Sequence, residues 1–251
     1  MAIHHENVTI PADGYYISGT FITQQKDQHP SVLFVHGWGA SQEQSLPQAS
    51  ALAKLGCACL TFDLRGHGPT KDQRNRVSRE DNLADVIAAY DWLANRNDVE
   101  KSSIGIVGTS YGGYLAAIAT IKRSISYLVL QAPAIYRDPD WLLPKIKLHE
   151  DPALAVYRRT VVSPNDNLAL QACASFTGDV LIVESQYDAI VPHPVSESYA
   201  GACAQARSLT CSVIANADHG LSEERWRNEY TSMLTNWIEG RMVQPMHEMS
   251  S

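Results

Sequence analysis

A serine, an aspartate and a histidine, residue types that acyl-transfer chemistry can combine, each occur where a loop can present them. Ser110 lies in Gly108-Thr109-Ser110-Tyr111-Gly112, between the apolar run Ile104–Gly108 and the helical stretch that starts at Tyr111. This fits the G-x-S-x-G pattern, in which the serine occupies a sharp strand-to-helix turn and the glycines permit close backbone approach. A hydroxyl is a poor nucleophile until a base can take its proton and a third group orients that base. Two later loops supply candidates: "SQYDAIVPHP" carries Asp188 and "NADHGLSEE" carries His219. The order nucleophile, acid, histidine is the one expected of a serine on such a turn. Glu184, at a strand end, is a second candidate acid. Asp218 is a third, but as the chain neighbour of His219 it is poorly placed to face the ring.

The same chemistry needs donors for the negative charge that builds on the carbonyl oxygen, each typically worth about 3 kcal/mol. His36-Gly37-Trp38-Gly39 follows the apolar run in "VLFVHGWGAS". The backbone N–H groups of Trp38 and Tyr111 are therefore the expected oxyanion-hole pair. His36 precedes the turn and reads as a brace for the loop rather than as a base.

These residues require a scaffold that brings several strand ends to one edge. Short apolar runs at Tyr16–Ile22, Val32–His36, Cys57–Asp63, Ile104–Gly108, Tyr127–Gln131, Val180–Glu184 and Leu209–Ala215 read as strands. Helical patterns occupy Gln44–Leu55, Asn82–Asn95, Tyr111–Ile121, Val195–Ala206 and Glu223–Glu239. Nearly continuous apolar strands separated by helices imply a mostly parallel central sheet flanked by helices on both faces. Ser110, Asp188 and His219 then all open at the carboxyl edge, where ligand sites of such sheets lie. Residues 134–178 break the rhythm with four prolines and read as a small cap insertion within a single domain spanning 1–251. Its Tyr136, Trp141 and Leu142, with Trp38, are the expected substrate contacts. The alternative is that they cover the sheet edge or bury a homodimer contact.

Composition narrows the partners. A net charge of -7 argues against nucleic acid. The one basic run, Lys71 to Arg79, is interrupted by Asp72 and reads as a solvated loop. Five cysteines cannot all pair and match no zinc spacing, and since no ligand cluster appears, no metal or organic cofactor is expected. Cys57 and Cys59 alternate and read as small hydrophobes on one sheet face. "MAIHHENVTI" lacks an apolar signal core, and no run approaches the ~20 apolar residues of a membrane span. A cytoplasmic location and no membrane partner are the corresponding expectations.

Taken together, His36-Gly37-Trp38-Gly39, Phe62-Asp63-Leu64-Arg65-Gly66-His67-Gly68, the serine turn, Asp188 and His219 resemble the α/β-hydrolase superfamily along most of the chain. That resemblance implies the α/β-hydrolase fold and a serine hydrolase working through an acyl-enzyme on Ser110. It also implies structural places for Asp63 and Arg65 and no catalytic part for His67. "SYGGYLA" at Ser110–Ala116 is similar to the turn of prolyl-oligopeptidase-type and acyl-peptide-hydrolase enzymes, whose propeller this chain has no room for. Compact feruloyl-esterase-like and dienelactone-hydrolase-like members are similar in length. Ser110 departs from the cysteine typical of the latter and from the aspartate of haloalkane dehalogenases. The expected substrate is a small-molecule carboxylic ester. A peptidase, or a binding protein that retains the pocket, is the alternative.

Overall fold

The computed structural model describes residues 2–24 and 29–242. Its chain opens with an antiparallel hairpin, β1 (His4–Ala12) and β2 (Tyr15–Thr23). Six more strands follow: β3 (His29–Val35), β4 (Ala58–Phe62), β5 (Val99–Thr109), β6 (Tyr127–Gln131), β7 (Asp179–Ser185) and β8 (Ser208–Ile214). They form one sheet in the order β1-β2-β4-β3-β5-β6-β7-β8. β2 pairs antiparallel with β4, and every pairing from β4 through β8 is parallel. The mostly parallel sheet is as expected. The additional strand is β1, whose sequence HHENVTIPA buries only alternate residues because it lies at the sheet edge.

Alternation along the central strands sends side chains to two cores. Leu33 and Val35 of β3, Ile104 and Ile106 of β5, and Leu128 and Leu130 of β6 enter one of them. Their intervening neighbours Val32, Phe34, Val107 and Val129 enter the other. Each large aliphatic side chain so buried contributes about 1.5–3 kcal/mol of transfer free energy, which is why these strands read as continuous apolar runs. The first core is covered by α2 (Arg79–Ala94), α3 (Tyr111–Ala119), α5 (Leu168–Ala174) and α6 (His193–Ala202). The second lies under α1 (Leu46–Lys54) and α7 (Glu224–Met242) and takes in Cys57 and Cys59, both buried. Burial pushes the Cys57 thiol up to about 12, so it behaves as a small hydrophobe.

Helix α2 begins three residues before its apolar periodicity, because Ser78 and Asp81 form a reciprocal capping box. That early start corrects the reading of Lys71 to Arg79 as wholly solvated: Lys71 is exposed, but Arg79 is fully buried. Residues 134–178, between β6 and β7, contain short 3-10 turns, α4 (Pro152–Tyr157) and α5, with Tyr136, Leu148, Leu154 and Val162 anchoring them in the first core. Among the described residues, no helix is long and apolar enough to cross a membrane, and no group of His, Cys, Asp and Glu is arranged to hold a metal ion.

Candidate active site

The turn between β5 and α3 holds Ser110 at φ 52 and ψ -113, a left-handed conformation that L-residues adopt only under constraint. Three backbone bonds impose it. Ser110 N–H donates to Gln131 O at 2.8 Å, and its carbonyl accepts from Tyr114 N–H at 3.2 Å and Ala134 N–H at 2.9 Å. The glycines around it are packed rather than merely flexible: a Cβ on Gly112 would lie 2.1 Å from Val35 O, and one on Gly108 would lie 2.5 Å from Gly112 O.

Asp188 and His219 reach the serine from the loops after β7 and β8. Ser110 Oγ lies 2.9 Å from His219 Nε2, and His219 Nδ1 lies 2.6 Å from Asp188 Oδ2. A carboxylate beside Nδ1 holds the proton there, which leaves Nε2 bare to accept from the serine hydroxyl. Asp188 is itself fixed, since Oδ1 accepts from the backbone N–H of Ile190 at 2.8 Å and of Val191 at 2.7 Å. The rival acids are engaged elsewhere. Glu184 pairs with His193 at 2.9 Å and raises the pKa of that imidazole. Asp218 accepts from the backbone and hydroxyl of Ser222, which stabilises its ionised form and orders the loop beside His219.

The His36–Gly39 segment borders the serine directly, because a Cβ on Gly37 would lie 3.4 Å from Ser110 Cβ. Two buried histidines brace it. His36 donates through Nδ1 to Gly37 O at 2.8 Å and accepts from Leu64 N–H at Nε2. His67 accepts from Gly39 N–H at Nε2, 3.1 Å away, with Nδ1 directed at Arg65 O. Each ring needs a bare nitrogen for these bonds, so each serves as the neutral imidazole. Burial lowers both pKa values, that of His67 to about 3. Asp63 and Arg65 hold the neighbouring loop. Asp63 accepts from the backbone and side chain of Gln42, and Arg65 donates to buried Asp85 at 2.6 Å. Tyr111, as the first residue of α3, has an N–H with no carbonyl of its own helix to bind.

The expected substrate contacts fall in different environments. Trp38 is half-buried, its ring edge-on to Tyr111 and His67. Tyr136 is not a pocket wall open to solvent: it is buried beneath the turn, edge-on to Tyr111 and Tyr114. Trp141 is half-buried and donates through its indole N–H to Glu80. Leu142 is 74 % exposed. An exposed residue such as Leu142 and a core residue such as Tyr136 share the same sequence signature, an aromatic or aliphatic residue in an irregular segment.

Sequence reasoning missed the charges around Tyr136. Lys145 Nζ stands 4.6 Å from the Tyr136 ring centre and 4.6 Å from that of Trp38. Arg79 and Arg158 face the same tyrosine at 5.9 and 4.9 Å. Arg79 donates to Tyr114 Oη and to Arg137 O, and Arg158 to Ile135 O, so segment 134–178 is tied to the serine-bearing helix by cations over aromatic faces. Burial holds the Lys145 ammonium well below its usual range. Nothing in the spacing of these residues announces the cluster, because it joins positions from α2, α3 and segment 134–178.

Comparison with known proteins agrees with this architecture. The chain is 28 % identical over 208 residues to an uncharacterized protein of Mycobacterium tuberculosis, covering 82 % of this chain and 69 % of that one. The ferulic acid-bound Est1E of Butyrivibrio proteoclasticus superposes with a TM-score of 0.74 at 17 % identity, over 94 % of this chain and all of that one. Dienelactone hydrolase of Anabaena variabilis gives 0.72 at 19 % identity, over 95 % of this chain and 98 % of that one. These likenesses establish the fold. A family profile described as the alpha/beta hydrolase fold matches residues 30–168, more than half of the chain. The chain belongs to the alpha/beta hydrolase fold family.

Proposed function

We propose that this protein is a serine esterase that cleaves carboxylic esters of small or medium acyl groups through an acyl-enzyme on Ser110. The observation that carries the reading is the continuous hydrogen-bonded line from Ser110 through His219 to Asp188. Ser110 Oγ attacks the ester carbonyl carbon while its proton passes to His219 Nε2, and the carbonyl electron pair moves onto oxygen. The Trp38 and Tyr111 backbone N–H groups receive that oxyanion. Collapse of the intermediate breaks the bond to the alcohol, which leaves with the proton from His219. A water then loses a proton to His219 and attacks the acyl carbon, Ser110 departs with that proton, and the carboxylic acid is released. Asp188 remains a carboxylate throughout and stabilises the imidazolium.

The family membership and the structural likeness to an esterase of Pyrobaculum calidifontis support an ester in preference to a peptide. Ser110→Ala, which preserves the backbone, is expected to lower turnover of p-nitrophenyl butyrate by at least about 10³-fold and to abolish labelling by a fluorophosphonate. Wild-type turnover in that variant would overturn the reading. Tight binding of esters by the unaltered protein without turnover would identify a binding protein instead, and faster cleavage of aminoacyl anilides than of esters a peptidase.

A further inference from the structure

A cavity of about 260 Å³ lies on the flank of the serine turn opposite the insertion, above the second core. Thr109 and Gly220, the chain neighbours of Ser110 and His219, both line it. Phe34, Val107 and Leu221 form its apolar wall. Three further lining residues, Gln48, Gln131 and Tyr230, are each more than nine-tenths buried, at 7, 3 and 5 % exposure. Among the described residues, each ends in an atom without a hydrogen-bond partner: Gln48 Oε1, Gln131 Nε2 and Tyr230 Oη. Buried polar atoms are rarely left so, and three around one cavity point to an occupant that satisfies them.

The chemistry of that occupant follows from the donors and acceptors. Gln48 Nε2 donates to Thr231 Oγ1, whose own proton goes to Arg227 O, so the amide orientation is fixed and Oε1 is an acceptor. Gln131 Nε2 is a donor, and the Tyr230 hydroxyl serves as either. The charged lining residues, Glu43 and Arg227, are exposed at the rim, and Arg227 Nη1 is already donating to Leu221 O and Ser222 O. The interior therefore suits an uncharged molecule with several hydroxyl groups, each able to give and accept. An alkyl chain would leave all three atoms unmatched. Since His219 returns its proton to the departing alcohol, a cavity against its loop suits the alcohol half of the ester.

We propose that this cavity is the subsite for a compact, uncharged polyol, a glycerol-sized leaving group; the assignment of that group to the alcohol half rests on the esterase reading above. The test compares glyceryl monobutyrate with ethyl butyrate, which shares the acyl group but lacks the two extra hydroxyls, and uses p-nitrophenyl butyrate as the activated reference. Binding of glycerol itself is followed by saturation-transfer NMR, and circular dichroism checks each variant's fold. The unaltered protein is expected to prefer the glyceryl ester by about tenfold in kcat/KM, the size of one or two neutral hydrogen bonds. Tyr230→Phe and Gln131→Leu are each expected to reduce that preference several-fold and to weaken glycerol binding. Equal kcat/KM on the glyceryl and ethyl esters, with p-nitrophenyl butyrate still cleaved, overturns the polyol subsite and leaves the esterase standing; the cavity then holds only water. If no ester is cleaved, the esterase reading fails instead. Glycerol binding that weakens in Tyr230→Phe would in that case uphold the polyol site, and its absence would overturn it.

Discussion

Ser110 is held in a conformation that costs roughly 1–3 kcal/mol for an L-residue, and the surrounding hydrogen bonds, not local preference, keep it there. Asp188, the acid of the proposed mechanism, is separable by experiment from its neighbours. Asp188→Asn is expected to lower kcat by about 10³-fold or more, because the amide leaves His219 with the wrong tautomer. Glu184→Gln is expected to stay within a few-fold, since Glu184 faces His193. Parallel steady-state assays of the two variants check this; a loss of the same size in both would reassign the acid. The three catalytic candidates were legible from the sequence because each follows a strand, and strand ends of a parallel sheet share an edge. Leu142 and Tyr136 were not, because the facing of a side chain in an irregular segment is set by contacts remote in the chain. The same holds for Gln48, Gln131 and Tyr230, which meet only in the folded protein.

At the level of elements, the decisive contact is helix α3 against strand β3. The missing side chain of Gly112 lets the helix approach until its backbone nearly touches Val35 O, and this close approach sets the height of the serine. Gly112→Ala is expected to destabilise the protein by at least about 2 kcal/mol, since a Cβ at that site is overpacked against backbone that cannot rotate away. Urea unfolding monitored by circular dichroism measures the cost, and an unchanged midpoint would contradict it. The central strands were legible as continuous apolar runs because both of their faces are buried, and the longer helices because one-sided burial imposes a period of 3.6 residues. β1 was not: it lies at the edge and buries one face, so HHENVTIPA carries too few apolar residues to mark a strand. The N-terminal part of β5 was missed for a related reason, since Glu100 to Ser103 are not buried. α4 and α5, at six and seven residues, are too short for a helical period to show.

For the molecule as a whole, the paired histidines make stability depend on pH. His36 and His67 are neutral in the fold, with pKa values below 6.5, whereas in the unfolded chain they take up protons as pH falls through that value. The unfolded state then binds more protons, so stability is full above about pH 7 and declines from about pH 6.5 toward pH 3. The slope is up to about 1.4 kcal/mol per pH unit for each histidine. Asp85, whose pKa is raised by burial despite the pull of Arg65, acts in the opposite sense near the carboxylate range. Urea midpoints between pH 8 and pH 5 test this, and His67→Gln, which keeps an acceptor for Gly39 N–H without titrating, is expected to flatten the curve. An equally steep curve in that variant would remove His67 as a cause.

The sheet order has a consequence in time. Ser110 and His219 are 109 residues apart, and the histidine loop hangs from β8, the outermost strand on its side of the sheet. During synthesis the serine turn can therefore be complete, strain included, while its base has yet to leave the ribosome. On the esterase proposal, the nascent protein then carries a nucleophile that nothing activates, and reactivity arrives only when β8 docks. A chain that misfolds before that step exposes no working serine to the esters around it.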